Sequence, residues 1–305
     1  MNTEDKYIIL EHAIEGYSGT VLASINDKVD KLLPVILAYL SIYADKYQKA
    51  PILQRQAVIA DYKNVTGSAI SVTYDRIQQQ LVQSGASIVG VLPPIFEAFD
   101  LKFKSIPAFQ AGGMVIDGKN LTEWVGGLGD SLKSRLAEKI KVDSKSTLNA
   151  ARESLNLGKP GLDAITGTSI RYDRQAFELA LIEANPQTMP QTLTFIAILD
   201  SRTSRICRSL HGKTYPANSP NLPVPPLHPR CRSRLVPYVS PTQVQTYREW
   251  LERMQAAGRV DLLKAILGPR YDLFASGKYT PDGMEMATKL NTAEDVADFV
   301  KEYAK

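Results

Sequence analysis

In the first hundred residues apolar positions recur every three or four, as in "SAISVTYDRIQQQLVQ", which predicts long amphipathic helices and few strands. The oiliest run is "LLPVILAYLSIYA", Leu32 to Ala44. It contains a proline, is bracketed by charges and falls short of the roughly 20 residues that span a bilayer, so it predicts a buried helix and no membrane span. Two consecutive prolines in "VLPPIFEAF" predict a break in this helical series, because proline lacks the amide donor and clashes with the preceding turn. In "AFQAGGMVIDGKNLTEW" an Asp-Gly turn precedes Asn120, with Glu123 three residues on, a capping-box spacing that predicts a helix from Leu121 to about Lys141. The periodicity of "SKSTLNAARESL" should stop at "GKPG" around Pro160 and return in "YDRQAFELALIEAN" before Pro186.

The pattern then changes. "TLTFIAIL", residues 192 to 199, is rich in β-branched residues and predicts a strand, with "SRLVPYV", residues 233 to 239, as its antiparallel partner and Pro237 marking an edge. A long proline-rich loop between paired strands is either functional or mobile unless something clamps it. Ser240, Pro241 and Gln243 then read as a helix start, "RVDLLKAILGP" as a helix stopped at Gly268-Pro269, and Thr292 with Asp295 as the opening of a final amphipathic helix. The predicted fold is mainly α, with a small α+β C-terminal module of short antiparallel strands around a long loop that a metal would pin. Three regions follow from this: helical 1–110, helical connecting 111–190, and the module 191–305.

The 305 residues suffice for one large or two modest domains. The acidic start "MNTEDKYIILEHAIEGY" lacks the basic and apolar regions of a signal peptide and predicts no export by that route. With two cysteines, that points to a reducing compartment. Charge is uneven: Ser201 to Arg248 contains no Asp or Glu but eight Lys or Arg, so within a net +4 the rest of the chain carries −4. Such a segment attracts phosphates or an acidic protein surface; the alternative is a solvated basic loop.

Within that segment lie both cysteines and two of the three histidines. Cys207 and His211 are one helical turn apart, and His228 and Cys231 flank the stiffening Pro229. Two thiolates and two imidazoles would complete a closed, neutral, tetrahedral zinc site. A disulfide or near-contact between the cysteines, and unrelated buried thiols, are the competing readings. His12 reads as an ordinary surface or partly buried residue. Walker, nucleophile-elbow and His-Glu-x-x-His patterns are absent from the sequence, and only Asp200 offers a nearby carboxylate for metal-dependent hydrolysis.

"ILDSRTSRICRSLHGKTY" followed by "PPLHPRCRSRLVPY" resembles the signature of the phage Mu F-like minor head proteins, also called phage head morphogenesis proteins. Asp200, Arg202, Thr203, Ser204, Cys207, Gly212, Lys213, His228, Pro229, Cys231 and Arg232 match, while Ser233 stands where the family usually has its last cysteine. If the family site uses that cysteine, His211 must replace it as a ligand. "ILGPRYDLFASGKY" looks like the segment that follows the module in relatives.

The resemblance implies a non-enzymatic minor capsid protein of a tailed phage or prophage, associated with the portal and acting in head morphogenesis and DNA packaging or delivery. Its implied location is the head interior or portal vertex of the virion, and the host cytoplasm during assembly. Scaffold and major capsid proteins are further candidate partners, as is DNA held through its phosphate backbone. Arg202, Arg205, Arg208, Lys213, Arg230, Arg232 and Arg234 are the candidate contacts for partner or DNA. Asp200 is expected to cap the turn containing Thr203 and Ser204, with Arg202 holding carbonyls or a carboxylate and Gly212 forming a turn. The alternatives are a zinc-stabilised DNA-binding module and a metal-dependent nuclease.

Overall fold

The computed structural model describes residues 1–139, 144–237 and 246–305. Its chain is 66% helical with a few short antiparallel strands in the C-terminal region, as the apolar periodicity requires. Helices α1 (Thr3–Asp30), α2 (Leu32–Lys49) and α3 (Arg55–Ala98) are followed by a two-stranded ribbon, β1 (Val115–Ile116) and β2 (Lys119–Asn120), and by α4 (Leu121–Lys139) and α5 (Ser144–Ala184). Then come β3 (Thr192–Ile196), α6 (Arg205–Leu210), β4 (Thr214–Pro216) and β5 (Arg234–Pro237). The chain closes with α7 (Tyr247–Ala256), α8 (Val260–Leu267), α9 (Tyr271–Ala275) and α10 (Ala293–Tyr303).

Two compact units result, and neither follows the sequence order of the three expected regions. One takes residues 1–21, 82–117 and 167–305; the other takes 22–81 and 118–166.

Neither proline signal stops a helix. Pro93 and Pro94 lie inside α3. Each interior proline costs about 3 kcal/mol, but Leu92, Ile95, Phe96 and Phe99 around them are buried, and each such side chain returns roughly 1.5–3 kcal/mol. Pro160 likewise sits within α5. Its neighbour Gly161 serves packing: a Cβ there would lie 2.5 Å from Leu128 on α4, so the glycine lets the two helices approach. The oily run does form α2, yet of its residues only Leu32 and Ile36 are buried, which corrects the expectation of a buried helix. One stretch, Ile52–Ala98, is long and apolar enough to cross a membrane by length and composition, with 44% of its apolar window buried.

Asn120 and Glu123 make the reciprocal cap at the start of α4, with Asn120 N–H to Glu123 Oε2 at 2.7 Å and Glu123 N–H to Asn120 Oδ1 at 2.9 Å. Thr292 and Asp295 do the same for α10. The predicted start at Ser240, Pro241 and Gln243 lies outside the described residues; α7 itself opens on a capping box of Thr246 and Glu249.

The sheet has the order β4-β3-β5, antiparallel throughout, with Thr194 opposite Thr214 on one side and Val236 on the other. Pro237 therefore lies on an edge strand, where its missing donor breaks no ladder. The edge is closed by α5: Leu235 N–H donates to Gln175 Oε1 at 2.8 Å and Gln175 Nε2 donates to Leu235 O at 3.1 Å. That side chain supplies the pairing an open edge lacks. The expected structureless loop thus contains α6 and β4.

Candidate metal centre

The site grows from the end of β3. After Ile196 the chain leaves the sheet, because the Ala197 amide donates to His211 Nδ1 at 3.1 Å instead of to a neighbouring strand. Four residues on, Asp200 is buried and gathers the turn: its Oδ1 accepts from the Arg202 amide at 3.0 Å and from the Thr203 hydroxyl at 3.1 Å. The guanidinium of Arg232 grips the same carboxylate with two bonds of 2.5 and 2.6 Å. Burial alone would raise the Asp200 carboxyl, but this fork, with the Met284 amide at 2.9 Å, holds it below the usual carboxylate range.

Ser204 is the N-cap of α6, accepting from the Cys207 amide at 3.2 Å. Cys207 then points into a small cleft lined also by Thr203, His228, Arg232 and Ser233. Its Sγ lies 3.3 Å from His228 Nε2 and 3.6 Å from Cys231 Sγ. His228 Nδ1 faces the Pro229 carbonyl at 2.9 Å, so that nitrogen carries the proton and Nε2 turns its lone pair towards Cys207 and the Ser204 hydroxyl, 2.9 Å away.

Both cysteines are free and buried. The hydrogen bond shared with Cys231, with those involving Ser204 and Ser233, outweighs burial and draws the Cys207 thiol below its usual range. The same bond, together with burial, raises Cys231. Cys207, His228 and Cys231 offer ligand atoms all within 4.8 Å of one another, an arrangement that could hold a metal ion.

His211 stands apart from this group, which corrects the four-ligand expectation. Its Nδ1 lone pair is taken by the Ala197 amide, so the neutral ring carries its proton on Nε2 and offers no free lone pair. Gly212, at φ +77°, forms the expected turn into β4. Of the cations expected to meet a partner, two are interior. Arg232 is buried on Asp200. Arg234 is buried beside Glu11 at 3.3 Å and donates to the Tyr7 carbonyl. Arg202 donates to the Met284 carbonyl at 2.7 Å and Arg208 to the Asp200 carbonyl at 3.0 Å, although both remain exposed. Arg205, Lys213 and Arg230 are exposed.

His12 is fully buried, not superficial, and burial draws its pKa down to about 4. Sequence reasoning also missed the loop that closes the Asp200 turn. Ser201 N–H donates to the Asp282 carbonyl at 3.1 Å, and a Cβ at Gly283 would lie 2.8 Å from Arg202 Nε and 3.1 Å from Asp200 Oδ2. The Asp282-Gly283 pair is itself a turn signal, but nothing local names its distant target.

No family model, curated protein or solved structure matches the chain.

Proposed function

We propose that this chain is a portal-associated minor head protein of a tailed phage or prophage, acting in head morphogenesis, and that its C-terminal module is a metal-pinned interaction fold and not a catalytic one. The observation that carries the reading is how the two halves of the motif meet. Asp200 from the first half is forked by Arg232 from the second, and Ser204 and Cys207 meet His228 and Cys231. A pattern whose halves are consumed in holding each other describes a structural module.

Zinc is the ion proposed. Bonds of about 2.3 Å to sulfur and 2.0–2.1 Å to nitrogen place tetrahedral ligands about 3.8 Å apart for two sulfurs and about 3.5 Å for sulfur and nitrogen. The corresponding distances here are 3.6 and 3.3 Å. When bound, zinc would cross-link the loop between β3 and β5 through Cys207, His228 and Cys231. Ser233, which hydrogen-bonds Cys207, occupies the neighbourhood of the fourth ligand. The nuclease alternative is disfavoured because Asp200, the near carboxylate, is saturated by Arg232 and the Met284 amide.

The test is co-purification of the tagged chain with the portal protein encoded beside it, in moderate salt with nuclease added. Retention is expected. Loss of the portal from a chain shown to be folded overturns the reading.

A further inference from the structure

The α2–α3 hairpin carries an apolar face left open within its own unit. Leu32, Val35 and Tyr39 recur at helical spacing on α2, and Val65, Ala69 and Val72 on α3, so the two stripes line one groove of about 580 Å³. Val35 is 38% exposed and Val72 49%. The rim is cationic: Lys28, Lys31 and Arg76 line the groove, and no Asp or Glu does. Lys28 is held by the neutral Gln80 at 2.6 Å, while Lys31 pairs with Asp27 on the solvent side. Towards the tip the apolar surface continues to Ile52 and Leu53, 79% and 96% exposed. There Lys46 and Arg55 stack on Tyr43 and Tyr47, at 4.6 and 5.0 Å from the ring centres.

We infer that this groove docks an amphipathic helix of another protein, apolar on one side and flanked by acidic residues. A cleft between two helices takes a third as its natural filling, and the cations at its base, with Lys46 and Arg55 beyond it at the tip, select acidic flanks. A second copy of this chain fits less well, since either orientation sets one basic rim against another. A flat bilayer would reach the convex tip but leave the concave groove empty. This inference goes beyond the head-assembly reading and is tested without the portal protein.

The experiment uses the full chain and a labelled helical peptide of about 18 residues, roughly 27 Å long, with leucines at i, i+3, i+4 and i+7 and glutamates beside them. A twin peptide has lysine for every glutamate. The acidic peptide is expected to bind at least about tenfold more tightly than its twin, in a salt-dependent manner. Val72→Asp, at an exposed position and with an unchanged melting temperature, should weaken it by a similar factor. Absent binding of the acidic peptide, equal binding of the twins, or indifference to Val72→Asp overturns the inference. So does self-association abolished by Val72→Asp, which would make a second copy the occupant, or flotation with phosphatidylglycerol vesicles that depends on Ile52 and Leu53 in a chain that ignores the peptide.

Discussion

At the scale of single residues, Ser233 bears on how strongly the centre could hold a metal ion. Three ligand atoms converge, and a hydroxyl stands beside them where the resembled family carries a thiol. Neutral serine is a poor zinc ligand, and a four-ligand site contributes about 10–16 kcal/mol at neutral pH. Ser233→Cys should therefore tighten zinc by on the order of 100-fold or more, about a quarter of that energy. Cys207→Ala and Cys231→Ala should abolish the single bound ion and lower thermal stability. Metal analysis of the purified chain with a chelator competition reads both; equal affinity in Ser233→Cys and the parent would show that position 233 does not face the ion. The convergence of Cys207, His228 and Cys231 was legible from spacing, and the exclusion of His211 was not. A histidine one turn from a cysteine satisfies the spacing, but it could not be seen from sequence that the strand end would claim its nitrogen.

At the scale of elements, α1 supplies polar partners to segments 160 to 273 residues away in sequence. Glu11 meets Arg234 of β5 and Arg171 of α5; burial alone would raise its carboxyl, but Arg171, Arg234 and Arg174 hold it below the usual range. Asp5 accepts from Trp250 Nε1 at 3.0 Å and pairs with Arg253 on α7. His12 stacks on Trp250 at 5.5 Å between ring centres and donates from Nδ1 to the Glu285 carbonyl at 2.7 Å. Since burial lowers its pKa from 6.5 to about 4, the unfolded chain binds the extra proton between those values. His12 thus favours folding fully above pH 6.5 and progressively less as pH falls towards 4, a loss of about 3 kcal/mol. Denaturant melts at pH 7, 5.5 and 4.5 should give the parent a steeper decline than His12→Gln; parallel declines would mean that His12 titrates normally in the folded chain. Apolar period announced α1, but which carboxylate would meet which arginine depends on tertiary placement that no local window contains.

For the whole molecule, the acid-free interval looked like a positive surface because charge was summed along the chain. Folding redistributes it. Arg232 and Arg234 go inside to Asp200 and Glu11, Arg202 and Arg208 bind backbone carbonyls, and Arg248 pairs with Glu252 at 2.8 Å on the surface. The helices, the edge strand at Pro237 and two capping boxes were legible because their causes are local. The interior prolines and the units assembled from separated segments were not, because burial of distant partners outweighs local propensity. Arg202, Arg205, Arg208, Lys213 and Arg230 all keep exposed surface. Each phosphate contact contributes about −0.9 to the slope of log affinity against log salt on duplex DNA, so binding through these five should give a slope no steeper than about −4.5. Fluorescence titrations of a random duplex across a salt series measure it directly. A slope near −6 would require the buried Arg232 and Arg234 to leave Asp200 and Glu11 for phosphates, and the module would then have to be a DNA-binding surface that rearranges on contact.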